Sequence, residues 1–180
     1  MVICLVIVGL IGGGIWLCGF RSFWLTQTYE SEMKAAILRY QTVVGSQSVC
    51  LDPTLLSEIA TGAALVRQQT TINNSINSGK CSVFEQTGVR SVRVFEYSST
   101  CARVSAESWH LRSYQIDLDT LEVITGTEQI SVMPRPGTHT YILLRENSDA
   151  DWKVAYQVFH SHRTQWYDIP TCRNVPPTYD

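Results

Sequence analysis

Twenty residues without a single charge open this chain, MVICLVIVGLIGGGIWLCGF from Met1 to Phe20. At about 1.5 Å of helical rise per residue, such a run reaches across a hydrocarbon core of about 30 Å. A secretory leader has a basic head, a shorter apolar run and a small-x-small cleavage site, and none is present in good form. Arg21, Phe23 and Trp24 follow, a charge and aromatics of the kind that sit at headgroup level. The expectation is a retained single-pass anchor within residues 1–24, in contact with lipid through residues 1–20. Gly9 and Gly13 lie in a G-x-x-x-G spacing that lets a second helix approach closely, as in a homodimer or a larger membrane complex. The plain alternative is that glycine is common in membrane helices. Cys4 and Cys18 read as small apolar residues of this segment.

The residues after the anchor suit one domain with a single core. Net charge is −2, and no basic cluster is interleaved with aromatics, which removes nucleic acid from the partner classes. Four cysteines remain outside the anchor, Cys50, Cys81, Cys101 and Cys172, with no C-x-x-C pair among them. An oxidising compartment would join them as two disulfides in one of three pairings; a reducing one would keep them as buried thiols. Arg21, Lys34 and Arg39 weigh slightly towards a cytoplasmic domain, and the even cysteine count towards an exoplasmic one, such as periplasm, lumen or intermembrane space. Exoplasmic is the preferred side. Asn73-Asn74-Ser75 fits a glycosylation acceptor but recurs by chance.

Helical periodicity dominates the first half. Met33, Ala36, Ile37, Tyr40, Val43 and Val44 recur at three- and four-residue steps up to Gly45. Asp52 then caps a short helix with Pro53 at its first position, Leu55, Leu56 and Ile59 on its apolar face, and Gly62 as its stop. Ala63 to Asn77 forms another helix closed by Gly79, with Gln68, Gln69, Asn73 and Asn74 on its wet face.

From Lys80 the period falls to two. Val92, Val94 and Glu96 alternate with Arg93 and Phe95, and a strand runs from Cys101 to about Arg112. In it Ala102, Val104, Ala106, Ser108 and His110 share one face, and Arg103, Ser105, Glu107 and Trp109 the other. A hairpin around Asp117 to Thr120 leads to a strand through Val132, and the segment MPRPG is a loop. Two further strands flank a polar turn at Asn147 to Asp151, with Trp152 and Tyr156 sharing the face of Val154. The fold class is α+β, two or three helices followed by a meander of five or six antiparallel strands.

The stretches TLLSEIATGAAL, VFEYSSTCARVSAES, TLEVITGTE and HTYILLRENSDADWKVAY resemble the intermembrane-space domain family of chloroplast-division membrane proteins and their cyanobacterial relatives. Ala102, Val104, Ala106 and Glu107 fit that family's A-x-V-x-A strand and its following acid. Tyr141, Leu143, Trp152, Lys153 and Val154 fit its Tyr-x-Leu and Trp-Lys-Val elements, and the similarity runs roughly from Tyr29 to Phe159. The resemblance implies the cone-shaped fold of nuclear transport factor 2, helices packed on a curved antiparallel sheet, over residues 25–162. It also implies a non-catalytic domain that holds a partner's peptide on the concave face, with no cofactor. The helical repeats and J-like region of the division proteins are missing, and a tail at 163–180 is additional.

Little in the sequence assembles chemistry. His160 and His162 share a strand face at metal-ligand spacing, but no third ligand accompanies them by spacing, and His110 and His139 would have to converge in space. No metal is expected. Glu107 and His110 are three apart on a strand, hence on opposite faces, which argues against an acid–base pair. Trp109, His110, Tyr141 and Trp166 are the candidate partner contacts, against the alternative that the tryptophans pack beneath the tail. The expected function is a scaffold or accessory subunit of a membrane complex. The alternatives are a small-molecule enzyme of the ketosteroid-isomerase or polyketide-cyclase type using His110, and an assembly component of a secretion system.

Overall fold

The computed structural model describes residues 29–131, 137–159 and 170–175. Met1–Glu32 and Met33–Asp180 are separate compact units. The expected anchor with Gly9 and Gly13, the histidines His160 and His162, Trp166 and most of the tail lie outside the described residues. Among the described residues no helix is long and apolar enough to cross a membrane.

Helix α1 covers 29–44, and its stripe of Met33, Ile37 and Tyr40 is buried. Gly45 ends it where the chain passes against a strand. A Cβ there would stand 3.0 Å from Phe84 Cβ, while the Gly45 carbonyl accepts from the Phe84 N–H at 2.8 Å. Short helices follow, α2 (Ser48–Leu51) and α3 (Leu56–Ile59), separated by a 3₁₀ turn at Pro53–Leu55. Asp52 caps that turn, its Oδ1 accepting from the Thr54 N–H at 3.1 Å.

Gly62, expected as a stop, instead opens helix α4 (Gly62–Asn77) with φ +52. The stop falls two residues earlier, because Ala60 forms a parallel bridge to Val154 and the Thr61 N–H donates to the Val154 carbonyl at 2.9 Å. An extended pair held by a strand cannot continue a helix, and the left-handed glycine turns the chain into the next one.

Seven strands follow among the described residues: β1 (Lys80–Glu85), β2 (Gly88–Tyr97), β3 (Cys101–Trp109), β4 (Arg112–Asp117), β5 (Gln129–Ile130), β6 (Gly137–Leu144) and β7 (Lys153–Phe159). They form two antiparallel sheets, β2-β3-β6-β7 and β1-β4-β5, rather than one. The strand expected from Cys101 to Arg112 breaks at His110 and Leu111, opposite the corner at Gln86 and Thr87, where Gln86 has φ 52. Both arms of one long hairpin therefore bend together. The Leu111 N–H donating to the Glu85 carbonyl at 3.3 Å holds the corner. The strand expected through Val132 shrinks to Gln129–Ile130, preceded by a lone bridge from Val123 to Ile116. Arg112 ties this small sheet together, reaching Glu85 at 3.1 Å and Glu128 at 2.7 Å.

Two further corrections concern which way side chains point. β2 carries irregularities between Val89 and Val92 and between Val94 and Glu96. The second places Glu96 opposite Arg103, away from the face of Val92 and Val94, and the two pair at 2.9 Å. β7 carries another, with Leu143 opposite Val154 but Ile142 opposite Tyr156. Val154 and Ala155 are both buried, and Tyr156 turns to the face opposite Val154. One extra residue in a strand reverses every later side chain.

The core joins Met33, Ile37 and Tyr40 of α1 to Leu56 and Ile59 of α3, Ala102, Val104 and Ala106 of β3, and Tyr141 and Leu143 of β6. Of the three cysteine pairings, the structure adopts Cys50–Cys81, joining α2 to β1, and Cys101–Cys172, joining β3 to segment 170–175, with Cα separations of 6.2 and 5.9 Å. The Cys172 N–H also donates to Glu96 Oε2 at 3.1 Å. Non-reducing peptide mapping should recover these two links and no others among the four cysteines. Replacing both cysteines of either pair by alanine should lower unfolding stability by about 2–5 kcal/mol in urea; an unchanged midpoint would show that the link does not constrain the chain.

Candidate functional site

Antiparallel register decides what faces α1. On the concave side of the larger sheet, Ser108 of β3 lies opposite Gly137 of β6, Ala106 opposite His139, and Val104 opposite Tyr141. Tyr141 lies opposite Gln157 of β7, and His139 opposite Phe159. Towards the Cys101 end this face is apolar. Leu143 and Val154 are buried, and Trp152 packs 6.0 Å from Tyr97 under the Arg145 guanidinium at 4.2 Å. Towards the Trp109 end it opens into a cleft of about 870 Å³ between α1, α4 and the sheet. That volume is within the range of ordinary ligand clefts, about 300–1,000 Å³.

The floor of the cleft is a hydrogen-bonded set drawn from every surrounding layer. Gln68 Nε2 of α4 donates to the Tyr40 hydroxyl of α1 at 2.9 Å, and that hydroxyl donates to Gln157 Oε1 of β7 at 3.1 Å. With its carbonyl so engaged, Gln157 turns its amide nitrogen to Tyr141 Oη at 3.4 Å and His139 Nδ1 at 3.1 Å. An amide nitrogen only donates, so Nδ1 is the acceptor in this contact. Gln41 Nε2 donates to Tyr141 Oη at 2.8 Å, and Ser108 completes the surroundings of this hydroxyl. Burial raises the Tyr141 phenol above its usual range, partly offset by the hydrogen bonds from Ser108, Gln41 and Gln157.

Around this floor stands an aromatic rim. Phe84 meets the His110 ring at 4.9 Å, and the His139 ring lies 5.1 Å from Phe159. Trp109 lies across Gly88 so closely that a Cβ there would collide with its indole ring, an approach only glycine permits. The described lining residues include no carboxylate, lysine, arginine or cysteine. The described lining is made of amides, hydroxyls and rings, suited to hydrogen bonding and stacking.

The sequence-derived candidates divide as follows. Trp109 and His110 line the cleft, although alternation places Trp109 on the outer face; as the last residue of β3 it sits at the corner where the strand bends. Tyr141 is fully buried beneath the cleft and meets it through Gln41, Gln157 and Ser108. Glu107 lies opposite Thr138 on the convex face, away from the cleft, and cannot pair with His110 there. Gln68, expected on a wet face, turns inward to Tyr40. Gln157 and Phe159 were hidden by the β7 bulge, and Gln41 by its place beside the buried stripe of α1. The available signal was the adjacency of Gln41 to buried Tyr40, since a buried phenol requires a polar neighbour. Among the described residues no group of three or more His, Cys, Asp or Glu side chains could hold a metal ion.

Tyr141→Phe removes the acceptor shared by Gln41 and Gln157 and should cost about 1–3 kcal/mol. The phenol's raised value means the unfolded chain ionises first. The stability this group contributes is complete below about pH 10, the phenol's ordinary value, and falls as pH rises from there towards the folded value. The gap between wild type and Tyr141→Phe should therefore narrow above pH 10 in urea titrations, and a constant gap would refute the assignment.

No protein-family model and no curated protein matches this sequence. Among solved structures the chain is similar to the intermembrane space region of the chloroplast protein ARC6, with a TM-score of 0.50 and 17% sequence identity, covering 74% of this chain and 95% of that one. At that identity the likeness is one of fold, and it agrees with the fold that the motif resemblance implies.

Proposed function

We propose that this chain is a membrane-associated, non-catalytic protein-binding domain, the scaffold or accessory subunit of a membrane complex, and that its concave cleft receives a segment of the partner. The observation that carries this reading is the cleft: a peptide-sized opening on the concave face, rimmed by Trp109, His110, Phe84 and Phe159 and lined by no carboxylate or cysteine among its described residues. Exposed aromatic rings around a concave surface are the usual anchors of a protein interface. The fold shared with the intermembrane space region of ARC6 supports an exoplasmic placement, and so do the two disulfides, which persist in oxidising compartments. The uncharged opening stretch supports attachment to a membrane. A cavity enzyme using His110 is the weaker reading, because the nearest acid in sequence, Glu107, faces the other side of the sheet.

Replacing Phe159, which is 54% exposed at the rim, with a photo-reactive benzoylphenylalanine tests this in the full chain in its native membranes. Irradiation should yield an adduct containing a second polypeptide. The same group at exposed Thr70 of α4 should yield none. Adducts at both positions alike, or only with lipid, would remove the reading.

A further inference from the structure

Two groups in the cleft floor are left over from the network that holds them. Gln41 and Gln68 each commit their amide nitrogen to a tyrosine hydroxyl, at 2.8 Å to Tyr141 and 2.9 Å to Tyr40. These hydroxyls belong to buried tyrosines whose rings meet edge to face at 6.5 Å. Each glutamine is thus fixed at its nitrogen, while among the described residues its carbonyl oxygen has no partner and stays open to the cleft rather than buried. Both side chains are half-buried and line the cleft. Trp109 lines the same cleft with its indole against Gly88, and among the described residues its N–H has no acceptor.

We infer that Gln41 and Gln68 are the specificity-determining residues of the cleft, and that they select an uncharged stretch of polypeptide through its amide N–H groups. This rests on the protein-binding reading above. A preformed amide carbonyl, aimed by its own nitrogen, accepts from a main-chain or side-chain amide without reorganising. It leaves an ester or a bare hydrocarbon facing an unfilled acceptor. The Trp109 N–H supplies the complementary donor for a peptide carbonyl, and the aromatic rim takes an apolar or aromatic side chain. A chain-end carboxylate finds no cation among the described lining residues and would meet two carbonyl oxygens, so the selected segment is internal or capped. A site that hydrogen-bonds a ligand N–H rejects the analogue lacking it more strongly than a hydrophobic pocket rejects a missing methylene.

The test uses three matched probes on the purified full chain in detergent micelles: N-acetylphenylalanine methylamide, its methyl ester and the free acid. Binding is followed by nuclear magnetic resonance of isotope-labelled glutamine side-chain amides. The methylamide should bind and shift glutamine amide signals. The ester should bind about five- to tenfold more weakly for the loss of one N–H, and the acid more weakly still. In Gln41→Met/Gln68→Met, titrated by tryptophan fluorescence, the preference for amide over ester should vanish. A merely structural role would weaken all three probes together and leave their ratio unchanged. The wild-type ratio needs no variant to fold. Equal binding of amide and ester, tightest binding of the acid, or no binding of any probe at 10-millimolar order would each overturn the inference. If Phe159 captures a polypeptide while the probes show no amide preference, the protein-binding reading stands and this inference falls. If the preference is present but no polypeptide is captured, both fall, and the cleft takes a small neutral amide.

Discussion

A phenol hydroxyl buried away from water must find its partners inside the protein, and the arrangement around Tyr141 follows from that requirement. Its partners come from three elements far apart in sequence: Gln41 on α1, Ser108 on β3 and Gln157 on β7. Satisfying one oxygen fixes the distance of helix from sheet at this end of the domain. Tyr40 repeats the arrangement between α4 and β7 through Gln68 and Gln157. Where Leu143, Val154 and Trp152 close the other end by apolar contact, this end is held by directional bonds, and directional bonds leave room between the layers. The cleft is that room.

Departures from regular pairing determine what enters it. Without the extra residue at Val154 and Ala155, Tyr156 and Val158 would face α1, and the glutamine at the centre of the network would point outward. On β2 the corresponding irregularity sends Glu96 to the convex side, where it pairs with Arg103 and accepts from the Cys172 N–H. A carboxylate is thereby kept out of the concave face and used to seat the segment that the second disulfide anchors. One bulge keeps a carboxylate off the concave face, and the other turns a glutamine onto it.

Much of the architecture was legible from local pattern. The stripe of α1, the Pro53 turn after Asp52, helix α4 with its closing Gly79, and the strand that begins at Cys101 all follow from periodicity and capping, though not the break of that strand after Trp109. The division into two sheets was not, because bending a hairpin at Thr87 and His110 changes no alternation that a short window can register. The site was the least legible. Trp109 and His110 stand out by residue type, whereas Gln41, Gln68 and Gln157 look like ordinary solvent-facing residues until the tyrosines they serve are known to be buried.

By itself the sequence determined the order of helices before strands, the uncharged opening stretch, the near-neutral surface and the four cysteines available for bridging. These depend on residue type and on spacing along a few turns or one strand. Tertiary structure alone decided the cysteine pairing, the faces of Glu96, Tyr156 and Gln157, and the conversion of three glutamines into the floor of a cleft. The physical reason is that a bulge or a buried hydrogen bond is selected by the partner across the layer, and that partner is tens of residues away in the chain: 100 separate Gln41 from Tyr141, and 117 separate Tyr40 from Gln157.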